Sequence, residues 1–288
     1  MLNQKAYRQH LALMTARVEN PSHGFFGPGS MAWRINREAV LGLGALRALL
    51  MQVAHPKVAQ GVADHSNYRG EPIQRVLTTL RLQQVIVFGS CQEASEALLR
   101  IQGRHQSVVG TIAGGTRIKK NNIYNANDPH LQLWVFATLV DTMVRMQDQL
   151  LTPLSAAERE AFYQESLLFA DLMGITRDSL PPSLVKFDTW IEDMIGSDEI
   201  AVTSTAKDIA SSLLRLPVAV FWPTNYILAA GSLPPALREA YGLKWNEAIE
   251  RTYDVGIMAV QVIVRGMPKR LRWLPPYWRA LQRIEKVK

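Results

Sequence analysis

The sequence predicts an all-α fold built as a single helical domain. Three observations carry that prediction. Strand signals are scarce, strongly apolar candidate helices follow one another along the chain, and no linker separates halves of different composition. With 288 residues, 48% apolar and 20% charged, the chain is not disordered, collagen-like or a disulfide scaffold. A chain of this length buries roughly three quarters of its unfolded surface, so a closed apolar pocket is physically possible.

Residues 36–54, NREAVLGLGALRALLMQVA, are apolar on most faces and predict a central helix. His55-Pro56 ends it, because proline disfavours the helical state in the preceding residue. Pro56 then opens a second helix, running to about His65. A third is expected from about Glu71 to Phe88, capped by Gly89, and a fourth from about Gln92 to Val109, ended by Gly110. TIAGGTRIKKNNIYNAND reads as a glycine-rich, basic loop. Asp128-Pro129 supplies the cap and first-turn proline of an apolar helix carrying LQLWVFATLVDTMVRM. Ser155 and Glu158 form a capping box for a helix ending near Gly174. Further helices are expected at about 181–195, 205–215, 218–230, 234–241 and 245–265. A tail rich in Pro, Trp and basic residues follows.

The longest apolar run, Leu213–Ala230, is interrupted by Arg215, Pro217, Pro223 and Asn225. A spanning helix needs about 20 mostly apolar residues, so this run reads as a buried core segment. Residues 1–20 hold no continuous apolar stretch and read as no signal peptide. The lone Cys91 excludes an internal disulfide and a multi-cysteine metal site, and fits a reducing compartment. The expected location is cytoplasmic, with or without membrane association.

Lys and Arg exceed Asp and Glu by 32 to 25, a balance that favours anionic partners. Residues 265–288 hold eight Lys or Arg against one acid, interleaved with Trp273, Tyr277 and Trp278. That pattern suits either peripheral contact with an anionic membrane or a solvated terminal helix packed by its tryptophans. No nucleic-acid fold signature accompanies it, so nucleic acid is not an expected partner.

Four of the six histidines lie between residues 55 and 130. His55, Asp64 and His65 fall together in AHPKVAQGVADHS. The interval from His55 to His65 is not a one-face spacing at ~100° per residue, and no HExxH or other dense ligand motif appears. His55 also reads as a helix-end residue donating to a carbonyl. Arg75 and Thr79 lie four apart and project from one helix face. Buried, such an arginine requires an anionic partner; at the surface, its stem lies along the protein while Thr79 bonds its own helix. His105 stands with Ile101, Val108 and Ile112 at helical spacing and faces the core. A neutral imidazole there either ligates haem iron or is satisfied by a carbonyl.

An ordered set of segments carries a family resemblance: GFFGPGSMAWRINREAVLGLGALRALLMQVAHPKVAQGVADHSNYRG, RVLTTLRLQQVIVFGS, GRHQSVVG, YNANDPHLQLWVFATLVDT, LPPALREAYGLKWNEA and LRWLPPYWRALQRI. Together they resemble the family of rubber oxygenases (latex clearing proteins) and of a fungal membrane-bound oxygenase of mycophenolic acid biosynthesis. The resemblance covers about residues 25–285 of a single domain, 1–288. It implies an all-helical fold with a globin-like core around a non-covalent haem b. It also implies cleavage of carbon–carbon double bonds by dioxygen, giving aldehyde and ketone ends.

His105 matches the family's proximal iron ligand, thirty residues after Arg75. Arg75 and Thr79 match an Arg-x-x-x-Thr pair near the haem. Thr78 stands where the rubber oxygenases carry an iron-ligating lysine. Ala59 and Gln60 stand near the position of a proposed glutamate base, which leaves Asp64 as the nearest acid. The resemblance thus implies catalytic roles for Arg75, Thr79 and Asp64, haem binding through His105 and Arg75, and His105 as the metal ligand. Arg104, Arg117, Lys119 and Lys120 are further propionate partners by charge. Dioxygen and a small lipophilic substrate, isoprenoid or otherwise unsaturated, are the expected partners; the short chain and missing export signal argue against rubber itself. Two alternatives stand beside this reading. One is a protein that binds haem or a lipophile without turnover. The other is a non-haem iron oxygenase using His55, Asp64, His65 and His105.

Overall fold

The structure, a computed structural model, describes residues 3–70, 72–112, 123–214 and 222–286, with the side chains of all of these except 72, 73, 75 and 222–225. The all-α prediction holds: the described residues form fifteen helices and one two-stranded ribbon. In chain order these are α1 (Gln4–Ala16), α2 (Met31–Asn36), α3 (Ala45–Val53), α4 (Pro56–His65), α5 (Pro72–Phe88), α6 (Cys91–Gln106), β1 (Val109–Thr111), β2 (Ile123–Asn125), α7 (Pro129–Leu150), α8 (Ala156–Leu172), α9 (Leu184–Gly196), α10 (Ser204–Leu214), α11 (Trp222–Ser232), α12 (Pro235–Ala240), α13 (Glu247–Gly266), α14 (Lys269–Arg272) and α15 (Pro275–Glu285).

The core is organised on α7. Asp128 caps it by accepting from the His130 N–H at 2.9 Å, and Pro129 opens its first turn, as the sequence predicts. Apolar residues recur around nearly the whole helix, so it buries against α3 on one side and against α8 and α13 on others. Phe136, Ala137 and Val140 join the cluster shared with α8 and α9, while Trp134 enters the cluster of α3, α4 and α10. An ion pair lies inside this core. Arg47 of α3 and Asp141 of α7 are both buried, with Nη2 and Oδ2 2.5 Å apart. Arg47 also donates from Nε to the Ser232 carbonyl at 2.7 Å and from Nη1 to the Thr142 hydroxyl at 2.6 Å. Arg145 donates to the other Asp141 oxygen at 2.9 Å.

The helix predicted over 36–54 is broken. α2 ends at Asn36, residues 39–44 form a 3-10 helix, and α3 begins at Ala45. Two long-range contacts explain the break. The Arg37 carbonyl accepts from the Leu274 N–H at 2.8 Å, and Glu38 is engaged by the C-terminal segment. Gly44 lies so close to α7 that a Cβ there would stand 2.6 Å from Met146 Cγ. The fourth predicted helix also stops early, at Gln106. The chain turns into β1, which pairs antiparallel with β2 (Val109↔Asn125, Gly110↔Tyr124, Thr111↔Ile123). The predicted loop 111–128 thus contributes Thr111 to β1 and the whole of β2; its residues 113–122, with Arg117, Lys119 and Lys120, lie outside the described residues. Part of the apolar run 213–230 does too; at its end Leu228, Ala229 and Ala230 are buried, as a core segment requires.

His55 and Pro56 act as predicted in ending one helix and opening the next, but the histidine's hydrogen bond runs the other way. His55 Nδ1 accepts from the Lys57 N–H at 3.2 Å and so caps α4. Capping needs the Nδ1 lone pair, and burial followed by the Lys57 charge pushes the imidazole pKa down to about 4. An unfolded histidine titrates near ~6.5. Above that pH the ring is neutral in both states and its contribution is complete. As pH falls toward 4, the unfolded chain takes up a proton that the folded one refuses, and about 3 kcal/mol of stability is lost. Urea denaturation at pH 7 and pH 4 reads this directly; His55→Asn, which keeps a cap without titrating, should flatten that component of the pH dependence.

The C-terminal segment closes the molecule. Glu38, buried, accepts from Arg272 Nε at 2.6 Å, Arg272 Nη2 at 3.0 Å and Trp273 Nε1 at 3.0 Å. The Arg37 guanidinium sits 3.8 Å from the Trp273 ring centre, and Tyr277, Ala280 and Ile284 of α15 pack against Trp33 and Phe88. On α15, Arg283 donates to the carbonyls of Ser22 at 2.9 Å and Phe88 at 2.6 Å, and pairs with Glu93 at 3.1 Å. No single helix among the described residues is long and apolar enough to cross a membrane. Residues 39–53 and 56–65 have the length and composition only together, and they are bent by 108°.

Candidate active site

The candidate site is built on the hairpin of α5 and α6. Gly89 and Ser90 join the two helices, which pack on one another. Gly89 permits no side chain, because a Cβ there would run into the Val85 carbonyl, and Gly24 (φ +76°) packs so closely on the Gly89 carbonyl that it permits none either. Ser90 and Glu93 then start α6 with a reciprocal capping box. Cys91, Ala94, Leu98 and Ile101 follow at helical spacing and pack toward α1 and α5, with His105 next along the stripe. Position 75 precedes the turn by about as many residues as position 105 follows it, so the backbone carries Arg75 and His105 at matching heights on the two arms. The Arg75 side chain lies outside the described residues. Thr79 is exposed, one turn further along α5.

His105 is half-buried at the last turn of α6, and its Nδ1 is fully buried with no hydrogen-bond partner among the described residues. Burial pushes its pKa below the ordinary histidine value, so the ring is neutral near pH 7. The alternative of a histidine satisfied at Nδ1 by a carbonyl is therefore not realised. An unsatisfied buried polar atom costs about 1–3 kcal/mol, and such atoms are few in native proteins. A neutral, buried imidazole nitrogen without a partner would suit a bond to haem iron. An apolar crevice of about 40 Å³ lies under α5, lined by residues including Phe26, Gln83, Phe136 and Phe169. It has room for water rather than a porphyrin, and His105 does not line it.

Asp64 belongs to a different constellation. Tyr124 of β2 donates its hydroxyl to Asp64 Oδ2 at 2.6 Å, and His65 Nε2 stands 3.1 Å from the same hydroxyl. The phenol has one proton, so with Asp64 as its acceptor it accepts from His65. The ring crosses Gly110, where a Cβ would meet it, and packs on Gly61 of α4. Burial and the Asp64 carboxylate push the Tyr124 pKa up to about 12. Asp64 also accepts from Gln60 at 2.8 Å. Sequence reasoning missed Tyr124, since a lone tyrosine in a polar loop carries no spacing signal. His55 does not join this group: it caps the opposite end of α4, ~15 Å away at 1.5 Å per residue. Among the described residues no three His, Cys, Asp or Glu side chains could hold one metal ion, so the His55, Asp64, His65 and His105 set does not assemble.

Comparisons with known proteins assign the chain to a family. Residues 33–263 match the family described as "ER-bound oxygenase mpaB/B'/Rubber oxygenase, catalytic domain". The match contains Asp64, Arg75, Thr79, His105 and Tyr124. Uncharacterised proteins of Mycobacterium tuberculosis and Mycobacterium bovis are each 30% identical over 239 residues, covering 80% of this chain and 90% of the relative. No solved structure gives a significant match.

Proposed function

The chain belongs to the ER-bound oxygenase mpaB/B'/rubber oxygenase catalytic-domain family, and from that premise we propose that it is a haem b-dependent oxygenase acting with dioxygen on a small lipophilic, unsaturated substrate. A globin-like arrangement around the haem is part of the proposal. The observation that carries it is His105: a neutral imidazole with a buried, uncommitted nitrogen, placed on a rigid helix. When bound, the haem would supply dioxygen binding and the redox chemistry of the reaction. The protein's own work is placement and electrostatics. His105 would hold the iron at a fixed position, since the capped and packed α6 leaves its backbone little freedom. Arg75 brings a permanent positive charge to the facing arm, suited to a propionate or an oxygen-derived anion, and Thr79 brings a hydroxyl. Asp64 would act through Tyr124, whose hydroxyl donates to it, rather than directly.

The test is a haemin titration of the purified full chain, followed by absorbance, beside His105→Ala. The wild type should develop a Soret band with one equivalent of haemin, and the variant should bind at least about tenfold more weakly while its far-ultraviolet dichroism stays unchanged. No Soret band in the wild type, or one indifferent to His105→Ala, would overturn the proposal. Oxygen uptake by the loaded protein with terpenoid alkenes then separates turnover from mere haem binding.

A further inference from the structure

The oxygenase reading leaves α13 unexplained. Its inner face, Tyr253, Ile257, Val260 and Val264, packs on the core. At ~100° per residue the opposite face falls on Val255, Met258, Ala259 and Val262. Surface helices ordinarily carry polar residues there. Here Val255 is 60% exposed, Met258 55%, Val262 69% and the adjacent Ile263 60%. No charged residue lies between Asp254 and Arg265. A contiguous exposed apolar face of this kind marks an interaction surface.

The charges around it indicate which partner. From residue 255 to 284 the chain holds six Lys or Arg and no Asp or Glu. Arg265 ends the apolar ridge, while Arg251 at its start is paired with Glu247 at 3.7 Å; exposed Lys269 and Arg270 follow on α14 beside Leu271, itself 72% exposed. We propose that α13 and α14 form a docking face for an anionic lipid bilayer. α13 would lie in the plane of the surface, its outer apolar side chains at the acyl boundary and the cations at lipid phosphates. The tail's aromatics play no part in this, because Trp273 and Tyr277 are committed to Arg37, Glu38 and Trp33. A second copy of the chain is the competing occupant. Pairing that lays α14 on α14 would set the cations against one another, whereas antiparallel pairing of α13 would set them against Glu247, Glu250 and Asp254, and light scattering separates that case from a lipid surface.

The inference is independent of haem and of turnover, and so is its test. The full chain is sedimented with phosphatidylcholine vesicles, with and without phosphatidylglycerol. Binding should require phosphatidylglycerol and weaken with salt. Met258→Gln with Val262→Gln should reduce partitioning about tenfold, as should Lys269→Glu with Arg270→Glu; all four sites are exposed, and circular dichroism verifies the fold. Absence of partitioning, or partitioning indifferent to Met258→Gln/Val262→Gln, would overturn the proposal. So would light scattering that shows a dimer dissociated by the same pair, which would assign the face to a second copy.

Discussion

Asp141→Ala is expected to destabilise the protein by about 3–5 kcal/mol, the cost of leaving a buried charge without its partner. Arg47 would keep the Ser232 and Thr142 acceptors, but its buried charge would have no anion. The chain entering the transition at lower urea, with an unchanged m-value, is the signature to look for. Arg47→Met combined with Asp141→Leu should recover most of the loss, since an apolar pair of similar volume needs no compensation. If the double variant were as unstable as Asp141→Ala, the cost would lie in packing between α3 and α7 rather than in the orphaned charge.

Glu38→Ala should cost about 2–3 kcal/mol, less than Asp141→Ala because Arg272 can rehydrate. One buried carboxylate serves three donors from the C-terminal segment, so its removal strands Trp273 Nε1 and unfastens α14 from residues 37–38. The loss should also be local. Trypsin cleavage at Arg270 and Arg272 should accelerate well before global unfolding, and Glu38→Gln, which retains acceptors without charge, should fall between the two.

Helix caps and breakers were legible in the sequence because they are local chemistry. Pro56, Pro129, Ser155–Glu158 and Gly89 act where they were expected. The elements that failed were decided at long range. Residues 36–44 are broken by Glu38, whose donors lie more than 230 positions away, and by the approach of Gly44 to α7. Val109–Thr111 became a strand because Ile123–Asn125 lies beside it, which no periodicity in either segment announces. In the candidate site, the inward turn of His105 was readable from Ile101 one turn before it, although Val108 and Ile112 of the predicted stripe lie beyond the end of α6. The pairing of Asp64 and His65 through Tyr124 was not, since it depends on a ring laid over Gly110.

The three hydrogen bonds of Arg283 have a consequence for biosynthesis. The Phe88 carbonyl, at the head of the hairpin that bears His105, is satisfied by a residue translated 195 positions later. Chains still on the ribosome can form α5 and α6, yet they lack the arginine that binds both the turn and the N-terminal segment. The arm that carries His105 is therefore fastened only after synthesis reaches α15. Partial chains would hold His105 on an unfastened hairpin, so under the proposed function haem capture would follow translation instead of accompanying it.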